Sequence, residues 1–210
     1  MSTLTDLFKD GKTVHFKKKE FFITPKKEPL GIYQVTEGFI VSYSQSTTHK
    51  RRIQTILKKG DVFPLAWTIN SNTVRHDMYI QAISDGSMQL VEKEVFIKYI
   101  NTSHKAALDV IDILLVYLRT YVDRVENLEE DTVRQKLKNR LLFFVNRFGI
   151  PDGETIRIEL PITHKLIAES INVSRENVTR ELKILEKKKI ISFTYRQLVI
   201  VDLQKLQEDY

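Results

Sequence analysis

Five polar side chains in one short stretch carry the most specific chemistry in this sequence: Arg175, Glu176, Thr179, Arg180 and Lys183. On a helix, at about 100° per residue counted from Arg175, the other four fall between about 40° and 140°. Val178, Leu182 and Leu185 fall between about 280° and 340°, on the opposite side. An arginine offers a forked donor pair matched to N7 and O6 of guanine, a glutamate accepts from cytosine N4, and a lysine meets phosphate. On charge alone such a face is more often the solvated side of an ordinary amphipathic helix. The flanking residues therefore decide.

Those residues specify a pair of short helices. Thr163 caps the first, which runs from His164 to Ser170, and Ser174 caps the second, which runs to about Lys187. Between them Ile171-Asn172-Val173 is a tight joint, with Asn172 where a left-handed residue is needed. Ala168 is small where the helices approach, and Ile171, Val173 and Val178 supply an apolar centre. Two helices with a joint of this length are a helix-turn-helix. Ile190–Phe193 and Leu198–Val201 flank the polar tip Thr194-Tyr195-Arg196-Gln197 and read as a hairpin, the wing. Lys187-Lys188-Lys189 reads as a polar helix end.

The elements that would carry this unit lie upstream. From about Val14 to Val91, short β-branched and aromatic runs alternate with turn signals such as Thr36-Glu37-Gly38, Gly60-Asp61 and Asp85-Gly86, which predicts a β-sandwich or jelly roll. A long helix comes next, roughly Ser103 to Leu128. Leu108, Ile111, Leu115, Leu118, Val122 and Val125 form a heptad seam along it, and Val110, Leu114, Tyr117, Tyr121 and Leu128 a second stripe. One stripe for the β domain and one for a partner helix is the favoured reading, which predicts a homodimer. Asp131 is expected to cap the next helix, with Val133, Leu137, Leu141, Phe144 and Phe148 apolar, and Gly149 to end it in a left-handed conformation. Asp152-Gly153 then turns the chain into a strand, Thr155 to Leu160.

The run Ile171-Asn172-Val173-Ser174-Arg175-Glu176-Asn177-Val178-Thr179-Arg180-Glu181-Leu182 resembles the Ser-Arg-Glu-x-Val-x-Arg recognition helix of the cyclic-AMP receptor/fumarate–nitrate (Crp/Fnr) regulators. The order of β-rich half, long helix and winged C-terminus also matches that family. The resemblance implies an α+β chain: a jelly-roll sensor-like domain over residues 1–102, a dimerisation helix and linker over 103–129, and a winged helix-turn-helix over 130–210. It implies base reading by the residues matching Arg175, Glu176 and Arg180, and phosphate contact near Thr163 and the helix start. The candidate DNA-contacting set is Thr163, His164, Lys165, Ser174, Arg175, Glu176, Thr179, Arg180, Lys183 and, on the wing, Arg196. The implied partners are promoter DNA, a second copy of the chain, and RNA polymerase.

The sensor half departs from the family's cyclic-nucleotide pattern. Gly60-Asp61-Val62-Phe63 resembles the lead-in, but Pro64-Leu65-Ala66 stands where the Gly-Glu-Leu phosphate cassette is expected, and His76-Asp77-Met78 aligns with the Arg-Ser-Ala position. An acid there repels phosphate, and Arg75 is displaced by one residue, so no cyclic nucleotide is expected. His15, His49, His76, His104 and His164 lack metal-ligand spacing, which argues against haem. An unidentified small-molecule effector stays open. So does a competing reading in which a ligand- or haem-binding module acts through a protein partner.

Bulk properties permit this picture without proving it. The chain has 210 residues and no cysteine, so disulfides, cysteine-ligated clusters and thiol chemistry are excluded. Its net charge of +6 divides evenly between residues 1–129 and 130–210, so charge permits a polyanion but points to neither half. No Walker loop, dinucleotide fingerprint, zinc-site spacing or nucleophile elbow occurs, so no enzyme is expected. No signal peptide or membrane-length apolar run is visible either, which makes the cytoplasm the default.

Overall fold

The computed structural model describes residues 3–45, 50–69 and 78–208. His49, Arg75, His76 and Asp77, which bear on the haem and cyclic-nucleotide expectations, lie outside these. Backbone packing divides the chain into two compact units: Met1–His49 with Gln54–Tyr121, and Lys50–Ile53 with Val122–Tyr210.

The first unit is a β-sandwich of jelly-roll type. Its strands are β1 (Lys12–Phe16), β2 (Phe21–Ile23), β3 (Ile32–Glu37), β4 (Ile40–Gln45), β5 (Arg51–Leu57, shared with the second unit), β6 (Val62–Phe63), β7 (Met78–Ala82) and β8 (Gly86–Val91). They form two four-stranded sheets ordered β1-β8-β3-β6 and β2-β7-β4-β5. Both sheets feed one core: Phe16, Tyr33, Val35, Phe63 and Met88 come from the first, and Phe22, Ile23, Ile40, Leu57 and Ile80 from the second. Alternation along the strands puts these residues on the inner faces. Gly38, at φ 84°, makes the expected β3–β4 turn in a conformation that favours glycine.

Four helices were not expected from the sequence: α1 (Thr3–Lys9), α2 (Leu65–Ile69), α3 (Lys93–Thr102) and α8 (Leu203–Glu208). The first three surround a second cluster in which Leu4, Phe8, Leu65 and Phe96 are buried with Ile32, Val62, Val91 and Val110. Between α3 and α8 run α4 (His104–Glu129), α5 (Val133–Phe148), α6 (His164–Ile171) and α7 (Arg175–Lys187). Among the described residues no helix is long and apolar enough to cross a membrane.

Helix α4 divides its apolar residues differently from the two stripes expected. Val110 is buried and Tyr117 packs beside it, donating its hydroxyl to the Val62 carbonyl at 2.7 Å. Leu114 and Tyr121, assigned to the same inward stripe, are instead exposed. The inward line is Ala106, Val110, Ile113 and Tyr117, at helical spacing. The heptad seam is exposed throughout: Leu108, Ile111, Leu115, Leu118, Val122 and Val125 are all between 43 and 59% accessible, with Val116 beside them.

In the second unit α5 begins one residue later than expected. Its cap is Thr132, whose hydroxyl accepts from the Gln135 N–H, and not Asp131. Gly149 does end α5, but not in a left-handed conformation. Its backbone is extended (φ −74°, ψ 132°), and a Cβ there would stand 2.4 Å from the Val145 carbonyl oxygen. Close approach, not dihedral freedom, makes glycine necessary. It opens a strand that the sequence did not reveal, β9 (Gly149–Asp152), antiparallel to β10 (Thr155–Ile158). With β11 (Ile191–Thr194) and β12 (Gln197–Ile200) these make a sheet ordered β11-β12-β10-β9.

One α5 residue is out of place by ordinary rules. Arg140 is 6% exposed, its Nε has no hydrogen-bond partner among the described residues, and its guanidinium lies over the Phe143 and Phe144 rings at 4.5 and 4.8 Å. Burial, and secondarily the charge of Arg124, pulls its pKa down to about 9. A buried charge without a carboxylate costs stability that an apolar side chain of similar length does not. Arg140→Met is therefore expected to raise the thermal midpoint by a few degrees, roughly 1 kcal/mol. A lowered midpoint in calorimetry would show that the ring contacts outweigh the burial cost.

Candidate nucleic-acid interface

Local capping builds the helix-turn-helix as the sequence predicts. Thr163 accepts from the Leu166 N–H at 3.0 Å, and Ser174 from the Asn177 N–H at 3.2 Å. Each satisfies a donor that the start of a helix leaves open, so each helix begins where its hydroxyl stands. Asn172 is left-handed (φ 55°, ψ 40°) and closes α6 by donating its N–H to the Ala168 carbonyl. Ile171, Val178, Leu182 and Leu185 are fully buried, while Val173 is half-buried. This small core fixes the angle of α7 against α6.

The opposite face of α7 is the one picked out by angle. Arg175, Glu176, Thr179, Arg180 and Lys183 line one open concavity. All are exposed except Thr179, which is half-buried. Arg175 and Glu176 stand in the first turn, directly after the Ser174 cap. Lys165, on the first turn of α6, is exposed and only 3.8 Å from Glu169, a loose i,i+4 pair.

Thr179 and His164 are tied to each other. Thr179 donates its hydroxyl to the Arg175 carbonyl at 2.8 Å, and its oxygen lies 2.8 Å from His164 Nδ1. Both contacts are made at once when the Thr179 proton goes to the backbone and the imidazole donates to Thr179. The His164 ring meets Phe193 of β11 edge-on, with centroids 4.8 Å apart. Burial, then the charge of Arg175, holds the His164 pKa below its ordinary value. Neither the ring contact nor Phe193 was legible beforehand, because a strand phenylalanine about thirty positions away carries no local signal.

Arg196 sits at the tip of the wing beside Tyr195, both with positive φ (71° and 46°), in a two-residue turn that usually takes glycine or asparagine. Tyr195 is 99% exposed. Lys188 and Lys189 close the end of α7, Lys189 with φ 56°. The candidate residues thus fall on three elements: Thr163, His164 and Lys165 on α6 and its cap, Ser174 to Lys183 on α7 and its cap, and Arg196 on the wing.

The family model of the Crp-like helix-turn-helix domain matches residues 135–209. Residues 135–209 are therefore a Crp-like helix-turn-helix domain. It is 22% identical over 207 residues to the global nitrogen regulator of Synechococcus elongatus, covering 97% of this chain and 88% of that one. In fold it matches FixK2 from Bradyrhizobium japonicum at a TM-score of 0.79 and 24% identity, over 94% of this chain and 96% of that one. It matches a CooA mutant from Carboxydothermus hydrogenoformans at 0.78 and 23%, over 97 and 89%. These likenesses establish the Crp/Fnr architecture of jelly roll, long helix and C-terminal helix-turn-helix. Helices α6 and α7 and the β11–β12 hairpin all lie within the matched domain.

Proposed function

We propose that the chain is a homodimeric regulator that reads an imperfect palindrome in promoter DNA without a cyclic nucleotide, with RNA polymerase the partner on which the bound dimer acts. The labour divides as a sensor-like region over residues 1–102, a dimerisation helix over 103–129 and a DNA-binding region over 130–210, working in the cytoplasm. The observation that carries this reading is the α7 face, where Arg175, Glu176 and Arg180 are exposed at the start of a recognition helix whose other side is buried. Arg175 and Arg180 match guanine, and Glu176 matches cytosine. Lys183, Lys165, Ser174, Thr163 and Arg196 flank them as phosphate contacts. The exposed seam of α4 supports a helix–helix dimer, which sets half-sites about 34–36 Å apart, one turn of duplex. Gel shift with random duplex DNA, followed by selection, tests the proposal. It predicts a two-fold-related consensus rich in G·C contacts, and recovery of no consensus would end it.

Cyclic-nucleotide independence is supported by the course of the chain after Gly60. Asp61, in the lead-in, accepts from the Lys58 N–H at 2.8 Å, and where the cassette is expected the chain passes through Pro64, which has no N–H, into α2 with Leu65 buried. Neither cyclic AMP nor cyclic GMP is expected to bind in calorimetric titration. Micromolar binding of either would overturn this part of the reading.

A further inference from the structure

The proton on His164 can be placed by counting. Thr179 has one hydroxyl proton, and the Arg175 carbonyl takes it. The 2.8 Å contact between Thr179 Oγ1 and His164 Nδ1 is satisfied together with that bond only when the imidazole donates it. The neutral ring therefore carries its proton on Nδ1, and Nε2 is an acceptor with no hydrogen-bond partner among the described residues. The ring belongs to the first residue of α6, touches the recognition helix through Thr179, and rests edge-on against Phe193 of the wing. One half-buried imidazole thus joins all three elements of the proposed interface.

Its charged surroundings favour the neutral ring in the free protein. On α7 the cations Arg175 and Lys183 oppose a proton and Glu186 favours one, the net direction together with burial being downward. On β11 the neighbour is the uncharged Phe193, and on α6 the next residue in the chain is the exposed Lys165. A phosphate oxygen brought to the start of α6 reverses the balance, because an anion there stabilises imidazolium.

We propose that His164 takes up a proton from solvent when a DNA phosphate docks at the N-terminus of α6, so that operator affinity rises as pH falls. The inference rests on the DNA interface proposed above and adds proton linkage to it. No rearrangement is needed. In imidazolium both ring nitrogens donate, so Nδ1–H stays on Thr179 while the new Nε2–H makes a charge-assisted bond to phosphate. Linkage sets the sign: the pKa is depressed in the free protein and raised in the complex. Binding takes up a proton between those two values, and affinity there falls as pH rises, by up to about tenfold per pH unit per protomer. Above the bound-state value and below the free-state value the dependence vanishes.

The test compares the full chain with His164→Asn, whose amide nitrogen can still donate to Thr179 but cannot titrate. Affinity for a selected operator is followed by fluorescence anisotropy from about pH 5.5 to 8.5 at constant ionic strength, a range that spans the ordinary imidazole titration. Calorimetry in buffers of different ionisation enthalpy counts protons on the unaltered protein, so the test survives a variant that fails to fold. The unaltered protein is expected to bind at least about threefold more tightly near pH 6 than near pH 7.5, with net proton uptake. In His164→Asn both effects vanish while the salt dependence remains. Operator binding that is flat with pH, or a slope that His164→Asn retains, overturns the proposal and leaves the interface standing. If the unaltered protein shows no preference for any duplex at any pH, the interface reading fails and the proton linkage with it.

Discussion

Replacing Arg180 by alanine is expected to weaken operator binding by about 1–3 kcal/mol and to relax the preference at one G·C pair in each half-site. Its side chain is exposed on the α7 face opposite the buried Leu182 and Leu185, so the substitution removes a donor fork without disturbing a core. Lys183→Ala, one turn of helix from Thr179 on the same face, is expected to behave differently. It should weaken binding to all sequences alike and make the salt dependence shallower, as loss of a phosphate contact does. If every cation on this face were merely electrostatic, both variants would bind more weakly and select the same site. Parallel binding-site selections separate the two cases, and an unchanged consensus for Arg180→Ala would remove the assignment of base reading to that residue.

A larger effect is expected from the α4 seam. With Leu115 and Leu118 replaced by aspartate, the chain should sediment as a folded monomer and lose about 10²–10⁴ in affinity for a two-half-site operator. The two leucines are 57 and 59% accessible in a single chain. Charging them therefore costs the protomer little, since exposed substitutions move stability by about 0.5 kcal/mol or less. What is lost is the tether that makes binding of the second half-site intramolecular. Binding to an isolated half-site should survive, which distinguishes a lost dimer from a damaged reading head. A double variant that still sediments as a dimer would show that the seam lies elsewhere.

The parts of this structure legible in the sequence were those specified by neighbours. Ser174, Thr163 and Asn172 act within four residues of themselves, through caps and a left-handed joint, and each stands where the sequence put it. The α7 faces were legible because helical period alone sorts Val178 and Leu182 from Glu176 and Arg180. Where the deciding partner is distant, the sequence was silent or misleading. Leu114 and Tyr121 share a stripe with Val110 and Tyr117, but only the latter pair meets the sandwich. Gly149 reads as a left-handed terminator, yet what demands glycine is the Val145 carbonyl and the unexpected strand β9. Arg140 was not singled out in the sequence, and the fold closes over it. Short α1 and α8 have too few turns to show a period at all.

The commitment of the Thr179 hydroxyl to the Arg175 carbonyl limits how much information the reading head can extract. In the proposed interface it leaves Arg175, Glu176 and Arg180 as the base-reading side chains of α7. With the proposed dimer, three positions per half-site would fix about six base pairs, a pattern that recurs by chance roughly once in 4,000 sequences. Against about 10⁶ or more competing sites in a genome, that yields several hundred matches by accident. Direct contacts therefore narrow the search to a shortlist, and the choice within it falls to the duplex: how readily its uncontacted central steps bend and how wide their grooves are. Promoters controlled by this protein should accordingly share the stiffness of their spacer as well as the letters of their half-sites.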